Sequence, residues 1–129
     1  MNTPILPPTM APPAANYVHA MLSTGASRIL HTSGVVPTAP DGSTPTDLGD
    51  QADVVWRNIE AILTEADMLV SNVVSITTYV VADHLPSLGV VMAARDRALG
   101  DHRAASTLVT VPALARPEWQ MEIAVVAVA

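Results

Sequence analysis

Apolar and polar positions along the chain sort into short β-type runs and two helical ones. Residues 17–24 and 28–33 are short β-tolerant runs separated by Gly25-Ala26-Ser27, which predicts a hairpin whose second strand ends at Gly34. Ala52, Val55, Trp56, Ile59, Ile62, Leu63 and Ala66 fall at helical spacing. Asp53, Arg57, Glu60 and Glu65 lie on the opposite side, and either Asp47 or Asp50 would cap this amphipathic helix. Val73–Val81 is rich in β-branched residues and reads as a central strand. A second helix is expected from Pro86 to Leu99, stopped by Gly100, followed by strands over 108–111 and Met121–Val128. The order ββαβαββ predicts an α+β fold with two helices packed on one face of a mixed sheet.

Two stretches outside this pattern are rich in proline. Residues 1–15 contain five prolines and almost no charge, which predicts an extended arm lying on a surface, disordered or draped over a neighbour. Residues 35–46 are rich in proline, glycine, serine and threonine and predict a surface loop. The chain therefore divides into an arm, 1–15, and one domain, 16–129. Within that domain Val73–Val81 and Met121–Val128 read as apolar on both faces, although two helices cover only one. The surplus predicts that the second face is buried against other subunits.

Composition narrows the chemistry. With 129 residues, half of them apolar, the chain is long enough for a core of its own. It has no cysteine, which excludes disulfides, thiolate metal sites and cysteine nucleophiles. All six basic residues are arginine, so no protein lysine is present to form a Schiff base. A net charge of −6 with scattered arginines offers no footprint for a phosphate backbone, and nucleic acid is not an expected partner. No signal peptide or membrane-length apolar run is visible, so a cytoplasmic protein with no membrane association is expected.

Glu122 is the sharpest chemical feature, the only charge in M-E-I-A-V-V-A-V-A. A carboxylate on such a strand must be paired, hydrogen-bonded or protonated if it is desolvated, and groups of this kind concentrate at functional sites. Alternatively, it stands at the strand's start near Trp119 and reaches solvent or an arginine. His31 reads as a base or as a structural histidine at a strand end. The four histidines lack metal-ligand spacing, so no metal is expected. Ser33 lacks the flanking glycine of a nucleophile elbow, whereas Gly34 marks a place where backbone can approach a ligand closely. Tyr17 and Tyr79 can each lend a phenol to a site, or Tyr79 can pack in the core. Trp56 lies on the apolar helix stripe and is expected in the core.

Several short motifs recur in one family's order. Tyr17, the strand ending in Thr32-Ser33-Gly34 with Pro37 soon after, the helix written Q-x(4)-W-x-N-I-x-A-I-L from Gln51 to Leu63, and the final M-E-I together resemble the Rid (RidA/YjgF) family. The resemblance spans nearly the whole chain. It implies a chorismate-mutase-like α+β fold, a homotrimer with a ligand cleft at each subunit interface, and hydrolysis of reactive enamines and imines to 2-oxo acids and ammonia without metal or organic cofactor.

Carried over residue by residue, the resemblance places Tyr17, Ser33 and Gly34 at cleft positions and Glu122 beside the catalytic water. Two matches fail. The family's P-A-R-S reads here A-A-S-T from Ala104 to Thr107, which puts Ser106 where the substrate-gripping arginine stands, and Met92 falls where an asparagine is expected. The connection between the last two strands is one residue longer than the family pattern, so this register holds only if the extra residue sits in that loop. Arg103 lies three residues before Ser106. It either folds back into the cleft or pairs with Asp101, Asp96 or the end of the second helix.

Loss of a charge-assisted fork to a carboxylate costs on the order of 2–5 kcal/mol. The expected substrate is therefore a neutral or larger enamine, imine or related electrophile rather than a short 2-imino acid. Glu122 would activate water, with Ser106, Thr107 and the Ser33-Gly34 backbone steadying developing charge. The alternatives are a trimeric metabolite-binding protein without turnover, and a nucleolytic activity, which the acidic charge opposes.

Overall fold

Local preference and long-range pairing together place eight elements. They are β1 (Asn2–Ile5), β2 (Ala20–Ser23), β3 (Ile29–His31), α1 (Leu48–Glu65), β4 (Val73–Val81), α2 (Leu88–Leu99), β5 (Ala105–Val111) and β6 (Met121–Val128). They come from a computed structural model that describes residues 1–129. Of the two candidate caps for α1 it is Asp47 whose side chain accepts from the Asp50 amide, at 3.1 Å. The helix α2 begins two residues later than expected, because Pro86 belongs to a 3₁₀ segment, Ala82–Ser87, and it stops at Gly100, whose φ is +59°.

The main sheet has the order β3-β6-β4-β5, with β4 and β5 parallel and the other pairs antiparallel. Both helices contribute to one core with a single face of this sheet. Val55, Trp56, Ile59 and Leu63 of α1 and Val91, Ala94 and Leu99 of α2 meet Ile76 and Val80 of β4 and Met121, Ile123, Val125 and Ala127 of β6. This is the chorismate-mutase-like α+β arrangement of a mixed sheet with two helices on one side.

Three expectations are corrected. Residues 17–24 and 28–33 do not form a hairpin with each other. β2 pairs with β1, and β3 pairs with β6 through Ile29↔Val128 and His31↔Val126, so each strand's free edge is taken by a distant partner. The proline-rich arm is extended, but its first residues are the strand β1, so the order is βββαβαββ. Finally, β4 is not apolar on both faces. Ile76, Thr78 and Val80 face the helices, while Ser75, Thr77, Tyr79 and Val81 are half-buried on the open face. Threonine and tyrosine suit a strand as well as valine does, so β propensity masked the alternation. On β6 the open face carries Glu122, Ala124 and Val126.

The buried Gln51 ties the α1 end of the molecule together. Its Nε2 donates to the Pro45 and Glu118 carbonyls at 2.7 and 2.8 Å, and its Oε1 accepts from the Gln120 amide at 2.9 Å. This fixes the loop before α1 against the connection that leads into β6. Gln51→Ala leaves three backbone groups to find other partners, and we expect a loss of about 2–3 kcal/mol in urea unfolding.

Candidate functional site

Glu122 stands on the open face of the sheet. It lies across from Tyr79 on β4 on one side and beside Gly34 on the other. Gly34 reaches it through a local irregularity. The Thr32 amide donates to the Val125 carbonyl, while Val35 and Ile123 exchange both backbone bonds, so three steps along this segment match two along β6. Such an extra residue is a β-bulge. Thr32 Oγ1 accepts from the Val125 amide at 3.0 Å and donates to the Ser33 carbonyl at 2.7 Å, which holds the bulge in place.

A Cβ on Gly34 would overlap the Glu122 carboxylate, with the carboxyl carbon 2.8 Å away. The carboxylate thus occupies the room a side chain would take, and any larger residue at 34 requires the flexible end of Glu122 to move aside. Ser33 and Gly34 are exposed and line a groove of about 420 Å³ with His31, Thr38 and Asn58. Asn58 Nδ2 donates to the Val36 and Thr38 carbonyls and fixes the groove's far wall. The Glu122 side chain is half-buried and has no hydrogen-bond or ion-pair partner within the chain.

The other expected site residues gather elsewhere. Val18 bridges to Ala105 at the start of β5, and its amide donates to the Ala104 carbonyl at 3.1 Å, so Tyr17 lies at that end of the sheet. Thr107 is exposed and pairs with Thr77, which in turn pairs with Ala124, so it shares the open face with Glu122. Two strand spacings and two residue steps separate Thr107 from Glu122, about 12 Å, and Tyr17 is farther still. Within one chain these candidates thus fall into two separate groups, Ser33-Gly34-Glu122 and Tyr17-Thr107.

Ser106 belongs to neither. It pairs with Ile76, a core residue, and faces the helix layer, where its Oγ accepts from Arg95 Nη1 at 3.4 Å. The structure therefore does not bring Ser106 and Glu122 together within the chain, and an arginine at position 106 would meet the Arg95 guanidinium. Met92 is half-buried on α2. Arg103 takes the second of its two readings: Nη1 donates to the Gly100 and His102 carbonyls at 2.7 and 2.9 Å, closing the turn after α2. Its guanidinium also borders a groove lined by Val18, Met21 and Ser71. Ala105 and Thr107, not Ser106, lie on the open face.

Sequence reasoning passed over Arg95. It is 5% exposed, and its Nε and Nη2 donate to Asp96 Oδ1 at 3.1 and 3.0 Å. The other Asp96 oxygen accepts from Asn16 Nδ2 at 2.9 Å, so the pair fastens the residue before Tyr17 to α2. The signal was available, because Arg95 shares a helical stripe with Val91, Ala94 and Leu99.

Burial raises the Asp96 pKa, but the hydrogen bonds from Asn16 and Arg95, with the Arg95 charge, outweigh it and hold the carboxyl below its ordinary 3.8. A depressed carboxylate contributes stability above its unfolded pKa and loses it as pH falls through the folded value. Asp96→Asn is therefore expected to destabilise at pH 7, with the difference from the native protein shrinking in thermal melts as pH falls below the ordinary 3.8.

Fold and site together define a small α+β protein with a half-buried, unpartnered carboxylate on the uncovered side of a mixed sheet. The family model described as Endoribonuclease L-PSP matches residues 8–129, and the chain belongs to this family, which is the Rid/YjgF family. A Rid-family protein of unknown function, YyfB from Yersinia pestis, superposes with a TM-score of 0.89 at 30% identity, covering 99% of this chain and 98% of that one. The YjgF gene product of E. coli gives 0.72 at 26%, with 98% of each chain covered. E. coli TdcF, solved with bound serine, gives 0.73 at 24%, covering 96% of this chain and 93% of that one. No curated protein matches the sequence.

Proposed function

We propose that the protein is a cytoplasmic, cofactor-free hydrolase of reactive enamines, imines or related electrophilic metabolites. Glu122 orients and deprotonates water in a cleft completed by another copy in a homotrimer. The observation that carries this reading is the Glu122 carboxylate, held half-buried and unpartnered beside the glycine that makes room for it. A carboxylate so placed can take a proton from water as the water attacks a polarised carbon. The division of the remaining candidates into a second half-site about 12 Å away supports completion by another subunit, since a small substrate cannot span both within one chain.

Neither half-site carries an arginine on the strand positions that share the open face with Glu122, namely Ala105, Thr107 and Val109. A short 2-imino acid therefore lacks the charge-assisted fork that would hold its carboxylate. We expect measurable hydrolysis of the bulkier 2-imino acids generated from leucine and phenylalanine by an amino-acid oxidase, scored as lost semicarbazone trapping. The alanine-derived 2-iminopropionate lacks the same fork and also the apolar side chain that would compensate by burial, so for it we expect a rate lower by about 30-fold. A native protein fast on 2-iminopropionate would mean that an arginine reaches the cleft, with Arg103 the first candidate.

A second reading, a metabolite-binding trimer, is favoured by the same lack of an anchoring arginine. Saturable binding of the corresponding 2-oxo acids with no turnover of any imine would establish it. RNA is a poor partner for a chain of net charge −6 with no cluster of basic residues.

A further inference from the structure

Tyr79 and Glu122 are directly opposed on β4 and β6, on the face away from the helices. Opposed residues have Cβ atoms about 4.5–5.5 Å apart. The Glu122 carboxylate leans toward Gly34 on the side away from β4, so a small molecule lying over the strand pair can meet the carboxylate on one side and the phenol on the other. Both residues are half-buried, and neither side chain has a hydrogen-bond partner within the chain. Neither oxygen is sealed, since the buried side-chain atoms without partners belong to His19, Trp56 and Gln120.

We propose that Tyr79 is a further residue of the Glu122 site, donating its phenolic hydrogen bond to the nitrogen of a bound imine. The inference rests on the hydrolytic reading above. In that reading Glu122 takes a proton from water as the water oxygen bonds to the imine carbon, and the C=N pair moves onto nitrogen. Glu122 returns that proton to nitrogen and then carries across the hydroxyl proton of the adduct. The C–N bond breaks, leaving a carbonyl compound and ammonia. Tyr79 keeps its own proton throughout and stabilises the nitrogen while its basicity rises, which makes its hydrogen bond strongest near the transition state. Carboxylate as acceptor and phenol as donor, side by side, select a polarised C=N group with a water at its carbon.

The test compares the native protein, Tyr79→Phe, Glu122→Gln and the double variant on the leucine-derived 2-imino acid, with assembly and melting checked for each. Phenylalanine keeps the ring and its packing, so a purely structural Tyr79 predicts unchanged kcat. We expect Tyr79→Phe to lower kcat by about 10- to 100-fold with KM changed little. Once Glu122 is already Gln, the same change should cost much less, because the two groups act on one bound pair. A Tyr79→Phe kcat within about twofold of native, alongside an inactive Glu122→Gln, overturns the role of Tyr79 and leaves the hydrolytic reading standing. Full activity in Glu122→Gln, or no turnover by the native protein, overturns the reading and this inference with it.

Discussion

Glu122→Gln is expected to lower kcat on bulky 2-imino acids by at least about 100-fold while leaving melting temperature and assembly unchanged. Glutamine preserves the shape that lies beside Gly34 but cannot take a proton from water. The native carboxylate has no partner within the chain, so its removal strands no buried group and disturbs no ion pair. The effect should therefore appear in the chemical step, as a fall in kcat and kcat/KM together, with product 2-oxo acid still bound. A variant that binds and turns over like the native protein would remove Glu122 from the mechanism.

Gly34→Ala attacks the same carboxylate from the backbone side. The added methyl would overlap the Glu122 carboxyl group, so either the carboxylate swings away or the bulge between Thr32 and Val35 opens. Glu122 is on an exposed face and can move, whereas the bulge is held by Thr32 and by the paired Val35 and Ile123. The carboxylate is thus expected to yield. We predict a loss of activity approaching that of Glu122→Gln, with a stability change under about 1 kcal/mol in urea. Large destabilisation with activity retained in the folded fraction would show that the bulge gives way instead. Combining Gly34→Ala with Glu122→Gln should add little further loss, since both act on one group.

How far the sequence could be read differs by element. The helix from Leu48 was legible because its apolar residues recur at helical spacing, and five of the seven read that way, Ala52, Val55, Trp56, Ile59 and Leu63, are buried. Glu122 stood out because a lone charge on an apolar strand is visible without knowing the fold. Pairing was much less legible. Nothing local reveals that Asn2 to Ile5 pairs with β2, or that the run after Gly25 joins β6 instead of folding back, since those partners lie far along the chain. The phase of β5 was lost for a related reason. Ser106 and Thr107 are both small hydroxyl residues, so alternation gives no face, and only the pairing of Ile76 with Ser106 shows that Ser106 points to the helices. Tyr79 was legible as a phenol that could serve a site or pack in the core, and only its register with Glu122 favours the first.

If Glu122 works in a site completed by a second copy of the chain, as proposed, inactive subunits should rescue one another. Thr107→Trp adds bulk at an exposed open-face position and should block one half-site, while Glu122→Gln disables the other. Each variant alone should be inactive on the leucine-derived 2-imino acid. Co-expressed in equal amounts and purified as mixed trimers through two tags, they should recover activity in about a third of the clefts, those that draw an intact half from each of two chains. Mixed oligomers of verified composition that remain inactive would contradict the account and place the chemistry within a single chain.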